Sequence, residues 1–325
     1  MIRIKFRSGQ GLGNQLWLFA SAKSISEKLN YDLEIEDIEK FKGLDFIRLD
    51  CDNFANKKTK INNYKVFNER QYYDSELKYI ISDFDANVLN IKDETILEGL
   101  YQSEKYFFGN LDKLKRYIKV DKKIIKSNLI NQDICILNIR GGEYKRHKDF
   151  MLMKSYWVNA MRNFEDIFSV NKFIIVTDDY LYSKALFPKF EIVHSDIKKC
   201  YATIFNCKNI IVSNSTFSYF PCTTGKKKNI IAPMFWARPN NNKNRWVSPA
   251  NIYKDWTYQD KFNNLKSYYE CLAIAEKSSL YYQDHFIYLI NKKDIPSKGA
   301  LNFLPQKYKF KIKSILKYIF PKHFG

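Results

Sequence analysis

The apolar positions of the first thirty residues change period once. Ile2, Ile4 and Phe6 alternate with Arg3 and Lys5, the spacing of a half-buried strand, and from Gln15 onward Leu16, Phe19, Ala20, Ile25 and Leu29 trace a helical stripe. Asp32 to Glu39 is acidic with Leu33, Ile35 and Ile38 spaced through it, which predicts a second strand and its exit. From Leu49 to Asn87 the chain is polar and rich in tyrosine, and no period assigns it. Thr95 to Leu100 reads as a strand, and the lysine-rich segment Leu111 to Asn128 as a helix that closes the first half.

The second half repeats strand then helix. Ile134 to Ile139 is a buried strand ending at Arg140-Gly141-Gly142-Glu143, and Tyr156 to Phe168 is helical. Phe173 to Thr177 ends at Asp178-Asp179, Ile210 to Val212 ends at Ser213 through Ser218, and Asn229 to Pro233 is a fourth strand. This alternation predicts α/β architecture with parallel sheets. In the first three cases polar residues lie just past a strand's carboxyl end, where open parallel sheets collect ligands.

Between the first strand and the first helix stands Ser8-Gly9-Gln10-Gly11-Leu12-Gly13-Asn14-Gln15-Leu16. Three glycines there allow a sharp turn and let bare backbone N–H groups approach an anion at a helix N-terminus. The spacing is neither the dinucleotide G-x-G-x-x-G nor a Walker loop, which ends in Gly-Lys-Ser/Thr. The two readings are a phosphate site and a turn that merely connects strand to helix.

Composition adds size and charge. At 325 residues, with 45 % hydrophobic and 16 % aromatic side chains, the chain is a folded protein of about two domains. The formal charge of +19 suits nucleic acid, anionic lipid or a polyphosphate substrate. No arginine stretch interleaved with aromatics and no nucleic-acid motif occurs, so nucleic acid is not expected as a partner. Lysines are denser in Lys113–Lys126 and Lys307–Lys322; within the latter, Ile312, Ile315, Leu316 and Ile319 fall at helical spacing. A basic amphipathic helix over Tyr308–Phe320 suits an anionic membrane surface, or else docks on the protein with a solvated lysine face. The six cysteines have no C-x-x-C spacing, Cys135 reads as a buried small hydrophobe, and the usage fits a reducing cytosol. Neither a signal peptide nor a membrane span of about eighteen apolar residues is expected.

Read in order, several segments resemble the α-1,2-fucosyltransferase family, glycosyltransferase family 11. The glycine loop is similar to that family's G-G-L-G-N-Q-[LM], with Gln10 where glycine is usual. Leu97 to Phe107 is similar to its G-Y-x-Q-S-x-K-Y-F segment, Val176-Thr177-Asp178-Asp179 to its strand-end T-D-D, and Asn209 to Phe220 to N-I-I-x-x-N-S-[ST]-F-S-W-W. Asn138-Ile139-Arg140-Gly141-Gly142-Glu143-Tyr144 occupies the place of H-x-R-R-G-D-Y, with the histidine, second arginine and aspartate replaced. Cys200 stands where the family places an acidic residue ahead of the third strand. The resemblance implies a GT-B-like architecture, two Rossmann-like domains facing a cleft, and inverting transfer from GDP-fucose without a metal or other cofactor. Residues 1–128 would form the acceptor-side domain, 129–265 the donor domain, and 266–325 a helical, basic tail. The acceptor expected is a galactose hydroxyl of a surface glycan, such as a lipid-linked O-antigen or capsule unit, handled in the cytoplasm or at the inner face of its membrane. The replaced positions leave a second donor open, another GDP-deoxysugar or nucleotide-sugar, and also a non-catalytic binding protein.

The candidate site follows. Arg140 carries a five-donor fork suited to a diphosphate, with Gly141 and Gly142 expected to open room beside it; the alternative is a salt bridge to an acidic loop. Asn14 could touch the donor phosphate or glycosidic oxygen, or cap the helix. Gly11 and Gly13 bring backbone to the donor, and Ser215, Thr216, Phe217 and Ser218 offer hydroxyls and a ring to it, or simply cap. Asp178 and Asp179 can accept from a ribose or base, or sit in a solvated loop. Glu143 is the candidate general base. His147, His194, His285 and His323 have no ligand spacing and no metal is expected. The literal D-x-D at Asp83-Phe84-Asp85 follows no central strand and is set aside.

Overall fold

Ile2–Lys5 (β1) is the middle of a sheet and not a half-buried edge. A computed structural model describes residues 1–55, 64–74, 77, 79–146, 148–240, 243–285 and 287–289. In it the helix Leu12–Leu29 (α1) follows β1, and the strands Leu33–Glu36 (β2), Ile47–Leu49 (β3), Phe54–Ala55 (β4), Lys65–Asn68 (β5), Gln71–Asp74 (β6), Tyr79–Ser82 (β7) and Thr95–Glu98 (β8) come next. A parallel sheet forms in the order β4-β2-β1-β8-β5. Parallel sheets are covered on both faces. Arg3, which the alternation would have placed in water, is therefore only 3 % exposed; it pairs with Glu34 on β2 and lies over the Tyr64 ring.

The lysine-rich helix expected over Leu111–Asn128 is broken. Lys113–Tyr117 (α2) gives way to the strand Ile118–Val120 (β9) and then to Lys122–Ser127 (α3). β9 pairs antiparallel with β3, Ile118 opposite Leu49 and Val120 opposite Ile47, so two β-branched residues meet a strand some seventy residues earlier. Asp121 then restarts the helix by accepting from the Lys123 N–H at 2.7 Å. α3 leans on the second half, where Asn206 donates to the carbonyls of Ile125 and Asn128.

The second half holds the strands Ile134–Ile139 (β10), Lys172–Thr177 (β11), Glu191–Val193 (β12), Asn209–Val212 (β13), Asn229–Pro233 (β14), Thr257–Gln259 (β15) and Leu265–Lys266 (β16). Between and after them run the helices Lys154–Phe168 (α4), Tyr180–Leu186 (α5), Ile197–Asn206 (α6), Tyr219–Thr224 (α7) and Tyr268–His285 (α8). The sheet order is β12-β11-β10-β13-β14-β15-β16, parallel except at its last edge. Its first six strands thus repeat the doubly wound order of a Rossmann sheet, with the direction of winding reversing between β10 and β13. The fold is α/β, two parallel sheets facing one cleft, the GT-B-like arrangement expected.

The halves share one core. The Trp17 ring of α1 lies 5.5 Å from Phe107 in its own half, but 4.2 Å from Tyr219 and 5.6 Å from Tyr253 in the other. α8 crosses back over this seam: Ser279 donates to Asp83 and Tyr282 to Asp74 at 3.4 Å, and the strand Ile287–Leu289 (β17) pairs with β6. The D-x-D motif is part of this architecture. Asp83 and Asp85 are 5 % and 1 % exposed, and Asp85 caps the following turn at the Asn87 N–H while pairing with Arg70. Residues 266–285 are accordingly a strap across both halves, buried along one face through Cys271, Ala275, Ser278 and Tyr282, whereas the amphipathic segment Tyr308–Phe320 lies outside the described residues. Among those described, no helix is long and apolar enough to cross a membrane.

Candidate functional site

A cleft of about 550 Å³ opens where both sheets reverse their winding, at the carboxyl ends of β1 and β8 on one side and of β10, β11 and β13 on the other. That volume is in the range of small-ligand sites. Gly11, Gly13 and Asn14 line it from the first half; Arg140, Glu143, Asp178, Ser215, Thr216 and Phe217 line it from the second. Nine of the eleven predicted site residues therefore meet in one place.

Ser218 and Asp179 are the exceptions. Ser218 is fully buried and its hydroxyl donates to the Ser215 carbonyl at 3.0 Å, inside the loop and away from the cleft lining. Asp179, the other strand-end aspartate, caps α5 at the Tyr182 N–H and pairs with Lys145, which holds its carboxyl below the usual range.

Arg140 is gripped from behind. One guanidinium nitrogen sits 2.6 Å from Asp178 and the other 3.2 Å from Glu143, while Nε is buried with no hydrogen-bond partner. Both the ion pair and the cleft position are thus real, and they are not alternatives. Gly141 and Gly142, however, do not open ligand space. A Cβ on Gly141 would come 2.7 Å from Asp179, and one on Gly142, at φ +30°, would collide with the Asp178 carboxylate. The glycines let these aspartates close over the loop, with the Gly141 N–H donating to Asp178 at 2.9 Å. Asp178 fixes the arginine, and Glu143, 71 % exposed, is the partner an incoming anion can displace.

Asn14 does not cap α1. Gly11 is the N-cap residue, and Asn14 lies within the first turn. Its amide oxygen accepts from the Thr216 hydroxyl at 2.7 Å and from Gln102 Nε2 at 3.0 Å, which leaves the amide –NH2 to a ligand in the cleft. Gln102 in turn accepts from Asn251 at 3.1 Å, so a line of side chains, Thr216–Asn14–Gln102–Asn251, stitches the halves together along the cleft floor. Ser215 caps the short turn that follows it, accepting from the Phe217 N–H at 3.4 Å, and the turn runs directly into α7.

A buried carboxyl supports the turn that delivers Gln102. Glu69, 1 % exposed, accepts from the N–H groups of Leu100 and Tyr101 at 2.7 and 2.9 Å and from the Tyr106 hydroxyl. Burial pushes its pKa up to about 7, against 4.5 in an open chain. Between those values the folded state holds the proton and the unfolded state does not, so its contribution is full below pH 4.5 and is lost as pH rises through 7. Glu69→Gln keeps the shape and the acceptor without titrating. Its melting temperature should gain on the parent's between pH 5 and 8, by on the order of 5 °C for roughly 3 kcal/mol. Parallel melting curves for the two proteins across that range would show no such ionisation.

Several lining residues went unmarked as site residues. Gln102 and Tyr144 fall within segments already noted, so their motifs could have found them; Asn251, His194 and Trp236 come from separate elements and carry no local signal. His194 contacts the Thr177 carbonyl at 3.2 Å, and Tyr144 donates to the Asn214 carbonyl beneath Arg140. Asn138 donates to the Val176 carbonyl at 3.4 Å, while its own amide oxygen is buried with no partner. Cys200 also lines this wall, with burial raising its thiol pKa. All six cysteines are free. Among the described residues no three His, Cys, Asp or Glu side chains gather as metal ligands; His147 and His323 lie outside them.

No family model matches the sequence, and no curated protein matches it. Solved structures do match in outline. The fucosyltransferase NodZ from Bradyrhizobium aligns with 68 % of this chain and 91 % of its own at 14 % identity and a TM-score of 0.43. A family 9 glycosyl transferase from Veillonella parvula covers 86 % and 97 % at 11 % identity and 0.43. POFUT1 in complex with GDP-fucose covers 70 % and 95 % at 11 % identity and 0.40. These likenesses are too slight to assign any residue of this chain.

Proposed function

We propose that the protein is an inverting, metal-independent glycosyltransferase that moves fucose from GDP-fucose to a hydroxyl of a surface glycan, with the galactose 2-OH as its foremost target. The observation that carries this reading is the convergence of Arg140, the Ser215–Phe217 loop and the glycine loop at the winding reversals of two facing sheets. In the proposed reaction the acceptor oxygen attacks the anomeric carbon from the face opposite the diphosphate. The carbon–oxygen bond to the β-phosphate breaks, its electron pair stays on the phosphate, and Arg140 neutralises the charge that grows there. Asn14 would hold the phosphate or glycosidic oxygen through its free –NH2, and Glu143 would take the acceptor proton once the donor phosphate has replaced it on Arg140. The Tyr308–Phe320 segment would hold the enzyme to the inner face of the cytoplasmic membrane, near a lipid-linked acceptor.

A second donor is favoured by one feature. Asn138 and Cys200, which stand where the resemblance places a histidine and an acidic residue that would read guanine, both line this wall. A melting screen with GDP, UDP, CDP and ADP separates these readings. GDP at a hundred times its Kd should stabilise by about 2.7 kcal/mol, and GDP-fucose should release GDP in EDTA. Stabilisation by another nucleotide alone moves the donor, loss of turnover in EDTA overturns metal independence, and binding with no turnover on any acceptor leaves a binding protein.

A further inference from the structure

Behind the cleft lies a second concavity of about 890 Å³, walled by α8, the β15–β16 hairpin, and residues 234–235 and 243–245. A single segment divides the two: Trp236 and Ala237 face the cleft, Met234 and Phe235 face the rear. The rear concavity is cationic, lined by Lys243, Arg245, Lys261, Lys266 and Lys277 against one acid, Asp260. That acid is occupied within its own turn, accepting from the Phe262 and Asn264 N–H groups at 2.8 and 2.9 Å. Arg245 is anchored on the Tyr281 ring at 4.3 Å with Asp74 at 3.9 Å, and Lys266 lies 3.4 Å from Glu270, while Lys261 and Lys277 are both exposed.

Large apolar side chains stand exposed among these cations, the Lys261 ammonium lying 5.2 Å from the centre of the Phe262 ring. Phe262 at the hairpin tip is 70 % exposed and Leu280, one turn along α8 from Lys277, is 62 % exposed. Lysines on an apolar floor of Met234, Phe235 and Ile274, rimmed by protruding apolar groups, match the two layers of an anionic bilayer surface. A nucleotide or free sugar would leave Phe262 and Leu280 unused.

We infer that this face docks on an anionic phospholipid surface, its lysines on the lipid phosphates and Phe262 in the acyl boundary. The site is lined by residues between 234 and 281 and stands whichever donor the cleft takes. The five native tryptophans are at most 3 % exposed, so Phe262→Trp in the full chain adds one exposed reporter at the proposed point of entry. Its emission should shift to the blue and be quenched by phosphatidylglycerol vesicles with brominated acyl chains, but not by brominated phosphatidylcholine. Adding Lys261→Glu and Lys277→Glu should weaken that quenching titration by about tenfold or more. Vesicles that pellet the protein while the residue-262 reporter stays unquenched would place the contact elsewhere and overturn the inference. So would absence of binding, or a response to inorganic phosphate equal to that of the vesicles.

Discussion

Arg140→Ala should reduce transfer at least about a hundredfold while moving the melting temperature by about 2 °C or less. The catalytic part follows from position: the guanidinium lines the cleft at the winding reversal of the second sheet, where, on the proposed function, charge on a leaving diphosphate would develop. The stability part follows from exposure. Arg140 and Asp178 are 31 % and 28 % exposed, and pairs so wetted contribute roughly 0 to 1 kcal/mol. After the change Asp178 still accepts from the Gly141 N–H, so no buried carboxylate is stranded. Arg140→Lys should recover little of the lost rate, since a point charge cannot hold Asp178 and a phosphate at once. Initial rates of GDP release, with melting curves for the same three proteins, decide it. An alanine variant as fast as the parent removes the phosphate role, and one that fails to fold shows the ion pair to be architectural.

The second half was readable because its strands are short runs buried on both faces. Ile134–Ile139, Lys172–Thr177 and Asn209–Val212 need no distant partner to look like strands, and the polar residues after them fall at the cleft. The stretch from Leu49 to Asn87 was opaque for the opposite reason. β6 takes β17 as one neighbour, more than two hundred residues away, and β5 enters the sheet beside β8, so neither strand announces its partner locally. The misread helix at Leu111–Asn128 has the same origin, since β9 exists through its pairing with β3. At the site, single motifs reported their own residues and missed what spans them. Arg140 was visible, but that Asp178 and Asp179, read as ribose or base contacts or as a solvated loop, fill the space beside Gly141 and Gly142 was not. Asn14 was visible, but its bond to Thr216, 202 positions on, was not.

That contact between halves makes Gly13→Ala the most damaging small change expected outside Arg140. In an exposed helix the substitution would help, since alanine is favoured over glycine by about 1 kcal/mol. Here a Cβ would stand 2.5 Å from the carbonyl carbon and oxygen of Thr216 and 2.6 Å from the Phe217 nitrogen. All three are backbone atoms at the start of a turn that Ser215 caps, so no side chain can swing away. The halves must part instead, which stretches the Asn14–Thr216 hydrogen bond and loosens the 4.2 Å stack of Trp17 on Tyr219. Overpacking of this kind costs about 1 to 3 kcal/mol, enough to cancel the helical gain and lower the melting temperature. Transfer should fall further than stability, because the displaced loop carries Thr216 and Phe217 into the cleft. Gly11→Ala is the control: its Cβ meets nothing within 4 Å, and only a modest N-cap loss is expected. If the two variants melt together and work equally well, the first turn of α1 is not the surface on which the halves close.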